Sequence, residues 1–456
     1  MSSVPDYAML VDERTGLISA LEEVPLDPRL PRAVVSWQAR AADGYILADI
    51  PSDKIAGGTY FDRERARLAA IGEVAERYAG NYIGRPLLRG SYEELTRQGY
   101  TLLDPAEVPL YSESQYATRG FPFVALTRDL RINWVEGYSK TRKRPVWVPA
   151  SLVYVNYFCG EYAQEPPTNF VMFAGIAGGS SLEAAVLSGL LEVIERDATT
   201  IWWASNVALP AISLANQPRI RAALTPSDLT SPITYKIFNL TVDIPVPVMG
   251  ALLYDPERQI PCMGFACRFD PHDAVLKAVG ETAQLYTGYS YFLDPNSGVW
   301  SAVDQGIYHA RAIKPYRADR SYRGAFRPDY HDMIDLLHNG QYYLDPSTHS
   351  GIGRLLNAAE SAPMPVAEPG ASSLDHLVAI LAERNLECIY VDLTTPDMKD
   401  AGLSVVRVLV PGMVPNAPTA FPFLGPRRLY EVPVTMGWAG RPLTEAELNL
   451  APLPHS

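Results

Sequence analysis

Leu182, Ala185, Val186, Gly189, Leu190, Val193 and Ile194 recur at three-and-four spacing, the pattern of a helix with one buried face. A Gly-rich turn (Gly175, Gly178, Gly179) leads into it, and Ser180 and Ser181 are N-cap residues for about six turns ending near Trp203. An earlier helix is predicted from Asp62 to Tyr78, where Ala66, Ala69, Ala70, Val74 and Ala75 allow close packing. Further helices are predicted over 273–288 and from Leu374 to Glu387. Period-two and β-branched runs predict a hairpin within 132–155, with Trp134, Trp147 and Tyr154 as sheet-to-helix packing. Two more strands are predicted within 242–269 around Asp255-Pro256-Glu257-Arg258, and others at 388–394 and 404–412. Helices alternating with such strands make layered α/β architecture.

Between these elements lie three weakly periodic stretches. Residues 1–54, with Pro25, Pro28 and Pro31, read as an extended lead-in that docks on the body or on a partner. Residues from about 294 to 369 read as a variable insertion with short helices, one near His331–His338. The end, from 431, becomes Pro-rich at Pro452 and Pro454, which cannot continue a helix and favour an extended, pre-ordered terminus, while composition alone makes it a loose one. The body between is expected to run from 55 to 430.

Length and charge narrow the class. With 456 residues, 47% hydrophobic and 20% charged, the chain is an ordinary globular protein of two or three subdomains. A net charge of −12 argues against nucleic-acid binding. No uncharged apolar run is long enough for a membrane span, and the N-terminus lacks a signal-peptide pattern, so a cytoplasmic chain is expected. Cys159, Cys262, Cys267 and Cys388 form no zinc or disulfide framework.

The chemistry sits in a repeat. Residues 73–79 read EVAERYA and residues 192–198 read EVIERDA, identical at five of seven positions. Each copy follows a Gly pair, Gly57–Gly58 or Gly178–Gly179, and the 273–288 helix carries Glu281 and Gln284 at the same i,i+3 spacing. Carboxylates three apart share a helix face about 60° wide. Two such pairs suit hard divalent cations, leaving arginines for phosphate oxygens. Magnesium fits better than zinc, whose thiolate and imidazole ligands are not clustered. The plainer alternative is a solvated helix edge with an ion pair from Glu192 to Arg196.

The paired E-x-x-E-R helices, Glu281/Gln284, the WVEGYS and RPVWVPA strands, VDLTTPD with VVRVLVPG, and the Pro-rich end together resemble the YcaO superfamily. The chain looks most like its azoline-forming cyclodehydratases of ribosomal peptide biosynthesis. The resemblance covers about residues 55 to 456. It implies layered mixed sheets with paired helices facing a central nucleotide-type cavity. It also implies ATP- and magnesium-dependent ring closure, in which a Cys, Ser or Thr side chain attacks the preceding carbonyl of a precursor peptide. By position, Glu76, Glu192 and Glu195 would hold magnesium. Glu73, Glu281 and Gln284 would hold nucleotide, and Arg77, Arg196 and Arg407 phosphates, while Pro454 would lie in the active site.

Several positions depart from the family pattern: Thr59 where a Lys is usual, Ala69 for a Ser, Phe173 and Ala174 for Ser-Asn, and Ala184 for a Glu. Glu183 cannot replace that last carboxylate, since it lies about 120° from Glu195 around the helix. These departures imply weakened nucleotide binding. Two readings stay open: a working cyclodehydratase subunit with an altered nucleotide pocket, or a catalytically silent scaffold that binds precursor peptide or an active partner. The resemblance further implies a homodimer and a separate leader-binding, adenylating-enzyme-like partner, with a flavin dehydrogenase as a further partner. Fifty residues before the body are too few to hold such a module.

Overall fold

A computed structural model describes residues 6–43, 55–305, 311–367 and 373–455. Fourteen strands among them form four sheets around three long helices. The first sheet joins β1 (Ile18–Val24), β2 (Val35–Ala41) and β3 (Ile55–Tyr60) in antiparallel order. Within the stretch read as a docking lead-in, β1 and β2 therefore pair onto β3 at the start of the body. Residues 1–5 and 44–54 of that stretch lie outside the described residues.

The largest sheet is antiparallel throughout. Its order is β4 (Leu88–Gly90), β5 (Ile132–Ser139), β13 (Ile389–Asp392), β14 (Ser404–Leu409) and β7 (Ile176–Gly179), with β6 (Arg144–Pro149) also on β5. The expected hairpin is thus β5–β6. Trp134 is fully buried in it and donates its indole N–H to the Gly90 carbonyl at 3.0 Å. A third sheet, β9 (Thr234–Asn239), β10 (Val248–Asp255) and β11 (Ile260–Cys267), is apolar on both faces. Covered sheets need that pattern. The short parallel pair β8 (Ala211–Ile212) and β12 (Glu360–Ala362) completes the set.

Helix α1 (Arg63–Asn81) is capped by Asp62, and α2 (Leu182–Ser205) by Ser181, whose hydroxyl accepts the Ala184 amide. Helix α3 (Pro271–Tyr291) is capped by Asp270 and packs Ala274, Ala278 and Val279 against Ile237, Met249 and Ala266. On the other face of that sheet, Phe238, Leu252 and Phe265 join Leu190, Ile194 and Trp202 of α2. Shorter helices are α4 (Leu374–Glu383) and α5 (Arg428–Thr435). In the insertion, short helices occur at Gly298–Asp304, Leu337–Tyr343 and Gly353–Leu356, the second overlapping the helix expected near His331–His338.

Each long helix lies across a strand at a glycine. A Cβ on Gly58 would sit 2.2 Å from the Ala66 carbonyl oxygen; on Gly179, 2.4 Å from the Ala185 amide; on Gly264, 2.2 Å from the Ala278 carbonyl oxygen. A β-carbon would push the helix off its strand. Gly58→Ala is therefore expected to destabilise the protein by about 1–3 kcal/mol. Gly288→Ala, which faces open space on α3, should be neutral or gain up to about 1 kcal/mol. Parallel urea denaturation of the two variants checks this.

Candidate active site

The repeat seen in the sequence becomes a ring of three strand–helix units. Each helix sends an acidic or amide side chain to the strand of the next unit. Glu76 on α1 accepts the Gly178 amide of β7 at 2.6 Å. Glu195 on α2 accepts the Cys267 amide of β11 at 3.0 Å. Gln284 on α3 accepts the Thr59 hydroxyl of β3 at 3.2 Å, closing the ring. Two further bonds stay within a unit: Glu192 accepts the Gly175 amide at 3.0 Å, and Glu281 the Phe265 amide at 3.1 Å. The glycine turns thus serve twice, bringing helices close and presenting amides to carboxylates.

These carboxylates carry charge at high cost. Burial, then the neighbouring Glu73, push Glu76 well above the usual carboxylate range. Burial also raises Glu192, and raises Glu195 to about 7 against the pull of Arg196. Glu281 differs: burial opposes its charge, but Lys277 and Arg196 hold it below the usual range. The solvated-edge reading fails for α2, because Glu195 and Asp197 are buried. Arg196 pairs with Glu195 at 3.5 Å, while Glu192 turns to the Gly175 amide. Glu73 and Arg77 do form an i,i+4 ion pair, at 2.8 Å and half-exposed.

The Pro-rich end is docked. Met263 of β11 donates its amide to the Pro454 carbonyl at 2.7 Å, the Tyr343 hydroxyl to the Pro452 carbonyl at 2.6 Å, and the Trp203 indole to the Ala451 carbonyl at 2.7 Å. His455 follows Pro454 into the site. Its Nδ1 lies 2.9 Å from the Met263 carbonyl, which can only accept, so Nδ1 carries the proton and Nε2 accepts from Arg196 Nη1 at 2.7 Å. Burial, reinforced by Arg196, pushes the imidazole down to about 4 and keeps it neutral. The loose-terminus expectation overlooked these carbonyl acceptors and the buried His455.

Other sequence-predicted residues land differently. Arg407 is fully buried on β14 and donates to the carbonyls of Val153, Met172, Phe173 and Ala174. It braces the loop before Gly175, which corrects its expected place on a phosphate. Thr59 is buried between the Ser36 hydroxyl at 3.1 Å and Gln284. Ala69 and Ala184 lie where α1 and α2 cross Gly58 and Gly179. The Phe173 ring lies under the Arg77 guanidinium, 5.9 Å from its centroid.

Two basic residues escaped the sequence reading. Lys277, one turn before Glu281, pairs with it at 3.2 Å and sits 4.9 Å over the Tyr60 ring. Arg268 follows β11 directly and donates to the Cys267 carbonyl at 2.7 Å. The Lys-to-Glu i,i+4 spacing was the available signal for the first; nothing local marks the second.

The donor set suits magnesium: oxygen ligands only, and mutually repelling. It is not a closed cage. Among the described residues no three His, Cys, Asp or Glu side chains stand close enough to hold an ion by themselves. Magnesium commonly binds through one or two carboxylates, with waters and phosphate oxygens completing its shell. The separated carboxylates fit that mode.

The family model described as YcaO cyclodehydratase, ATP- and Mg2+-binding, matches residues 57–414. An uncharacterized protein of Methanothermobacter thermautotrophicus is 26% identical over 62% of this chain and 65% of its own length. One from Rhizobium leguminosarum bv. trifolii, in the tfuA 3' region, is 24% identical over 66% and 71%. Among solved structures, a heterocyclase in complex with substrate and cofactor superposes with a TM-score of 0.70 at 24% identity, over 98% of this chain and 56% of that one. The YcaO protein of Methanopyrus kandleri bound with AMPPCP and Mg2+ gives 0.55 at 22% identity, over 88% of both chains. This chain thus spans under two thirds of the archaeal relative and of the heterocyclase. Among the described residues no helix is long and apolar enough to cross a membrane.

Proposed function

Because this chain belongs to the YcaO family, we propose that it is a cyclodehydratase subunit that closes thiazoline or oxazoline rings at Cys, Ser or Thr of a ribosomally made precursor peptide. The observation that carries the reading is that Glu76, Glu192 and Glu195 are each oriented by a backbone amide, the last two beside Arg196. ATP, when bound, would supply the phosphoryl group that turns the amide oxygen into a leaving group. Glu76, Glu192 and Glu195 would hold magnesium, with Glu73, Glu281 and Gln284 at the nucleotide. Arg77 and Arg196 would face phosphate oxygens. The docked His455, anchored next to the Pro454 carbonyl, holds Arg196 at a fixed place, so the residues position and stabilise charge without a protein nucleophile. In chemical balance, the thiol or hydroxyl adds to the carbonyl carbon and loses its proton. The carbonyl oxygen would take the γ-phosphoryl group, with ADP as the leaving group, and would depart as phosphate, while the amide nitrogen gives up its proton to form the ring C=N bond.

Peptide and partner binding belong to the same proposal, as do the division into an N-terminal segment, a body and a C-terminal tail, and the cytoplasmic setting. Support for partners comes from the neighbouring microcin synthetase complex of E. coli, solved with its pro-peptide bound. The silent-scaffold alternative has its own support, because Thr59 and Arg407 are committed to internal contacts. Mass spectrometry of precursor peptide incubated with the chain, its partner protein, ATP and magnesium separates the two. A cyclodehydratase removes one water per ring and releases phosphate in step. Peptide binding with no ATP-dependent mass loss would support the scaffold.

A further inference from the structure

One cavity among the described residues has walls without a polar side chain. Leu103, Val108, Leu152, Met172, Met413 and Phe423 line it, and its remaining lining residues are apolar as well. It is partly open, and the space it leaves to water centres is about 50 Å³, roughly three waters or one branched aliphatic side chain. Two ties place it beside the active helix. On one wall, Met172 stands three residues before Gly175, whose amide Glu192 holds, and Arg407 donates to the Met172 carbonyl. On the other, Met413 and Pro415 flank Val414, whose amide Asp197 accepts at 2.8 Å. Both walls are thus pinned to the second copy of the E-x-x-E-R repeat on α2. Three residues of chain span at most about 10 Å, so the Met172 wall lies within that reach of the amide at Glu192.

An aromatic strip runs from the cavity towards the surface. Phe423, in its wall, stacks on Tyr111 at 5.1 Å, and Tyr111 stacks on Phe123 at 5.1 Å. Phe421 meets Phe123 edge-on at 5.3 Å and Phe170 face-on at 5.5 Å. Phe123, Phe170 and Phe421 are partly exposed. The Tyr111 hydroxyl accepts the Phe170 amide at 3.0 Å and so fixes the segment that runs into Met172. An uncharged cavity with an aromatic approach suits an apolar side chain, and an extended peptide with its carbonyl near Glu192 covers the same distance in two or three residues. We propose that this cavity is a side-chain subsite for the precursor peptide, seating Leu, Ile or Val two or three positions from the residue that cyclises. The proposal rests on the peptide-modifying reading above.

The test uses the full chain and synthetic peptides with one Cys in a Gly/Ser background, carrying Leu, Ala or Asp at one flanking position at a time. Binding is followed by fluorescence anisotropy and by the methyl NMR signals of Met172 and Met413, assigned through Met172→Leu and Met413→Leu. Burying Leu rather than Ala predicts affinity about ten- to a hundredfold higher for the Leu peptide at the seated position, with shifts of both methyls. Val108→Lys should reverse the preference towards the Asp peptide, and Met172→Trp should fill the space and bring the Leu and Ala peptides level. Thermal denaturation checks that both variants fold, and the wild-type methyl shifts decide should either fail to. No preference at any position, a preference kept in both folded variants, or Leu binding that leaves both methyls unmoved would overturn the proposal. So would methyl shifts that follow protein concentration rather than peptide, the mark of a second copy in the cavity. If the chain neither binds nor modifies peptide, the peptide reading falls and the subsite with it. Peptide binding without flank preference overturns the subsite alone.

Discussion

Glu195→Gln is expected to lower ATP-dependent turnover on the order of a hundredfold or more, since one preorganised charge is lost where charge develops. It should leave the fold intact, because the amide oxygen of Gln can still accept the Cys267 amide that Glu195 holds at 3.0 Å. The same substitution changes how stability depends on pH. Glu195 is raised to about 7 by burial, so the folded protein favours its protonated form. That contribution is fully present below the ordinary carboxylate pKa and is lost as pH rises through about 7, worth a few kcal/mol on the order of 1.4 per unit. Without metal, the wild type should therefore lose stability from about pH 4.5 through 7, and Glu195→Gln should show a shallower slope. Paired turnover and urea-unfolding series across that range check both effects. Wild-type turnover in the variant would remove Glu195 from the active site.

The second large effect is on stability. Asp197, in the second copy of the repeat, is buried and accepts Arg428 through Nε at 3.1 Å and Nη2 at 2.6 Å, together with the Val414 amide at 2.8 Å. Arg428 also bridges to Asp243, through Nη1 at 2.9 Å and Nη2 at 2.7 Å. One guanidinium therefore ties α5, α2 and the approach to β10. Arg428→Met leaves the fully buried Asp197 without its cation and Asp243 with Arg384 alone, at 3.9 Å. Breaking a buried pair on one side typically costs about 3–5 kcal/mol, and that loss is expected in chemical denaturation. A change below about 1 kcal/mol would mean that Asp197 finds another partner or takes up a proton cheaply.

Much of this was legible in the sequence because helical period and capping are local. Ser181 and Asp62 cap the helices whose apolar faces predicted them, and the E-x-x-E-R repeat marked two of the three units around the site. The third unit was visible in Glu281 and Gln284. What remained hidden depends on contacts across long separations. Glu76 meets Gly178, and Glu195 meets Cys267, through backbone amides that no side-chain pattern announces. Arg407 looked free for phosphate because its four carbonyl partners lie about 250 residues earlier or on an irregular loop. The tail looked loose because proline-rich composition says nothing about carbonyls that Met263, Tyr343 and Trp203 bind. Residues 18–41 looked like part of a lead-in because Pro25, Pro28 and Pro31 break up their short alternating runs, whereas the pairing of β1 and β2 with β3 is not local.

The central claim is that these separated, proton-retaining carboxylates bind a magnesium nucleotide. Calorimetric titration of the wild-type chain with a non-hydrolysable ATP analogue tests it most directly. The titration is run at pH 7 with and without magnesium, in two buffers of different ionisation enthalpy. Metal binding requires deprotonated ligands, and burial raises Glu195 to about 7, so that it holds a proton more readily than an ordinary carboxylate. The account predicts binding that depends on magnesium and releases protons, with the release reduced in Glu195→Gln. Absence of binding, or binding indifferent to magnesium and without proton release, would contradict it.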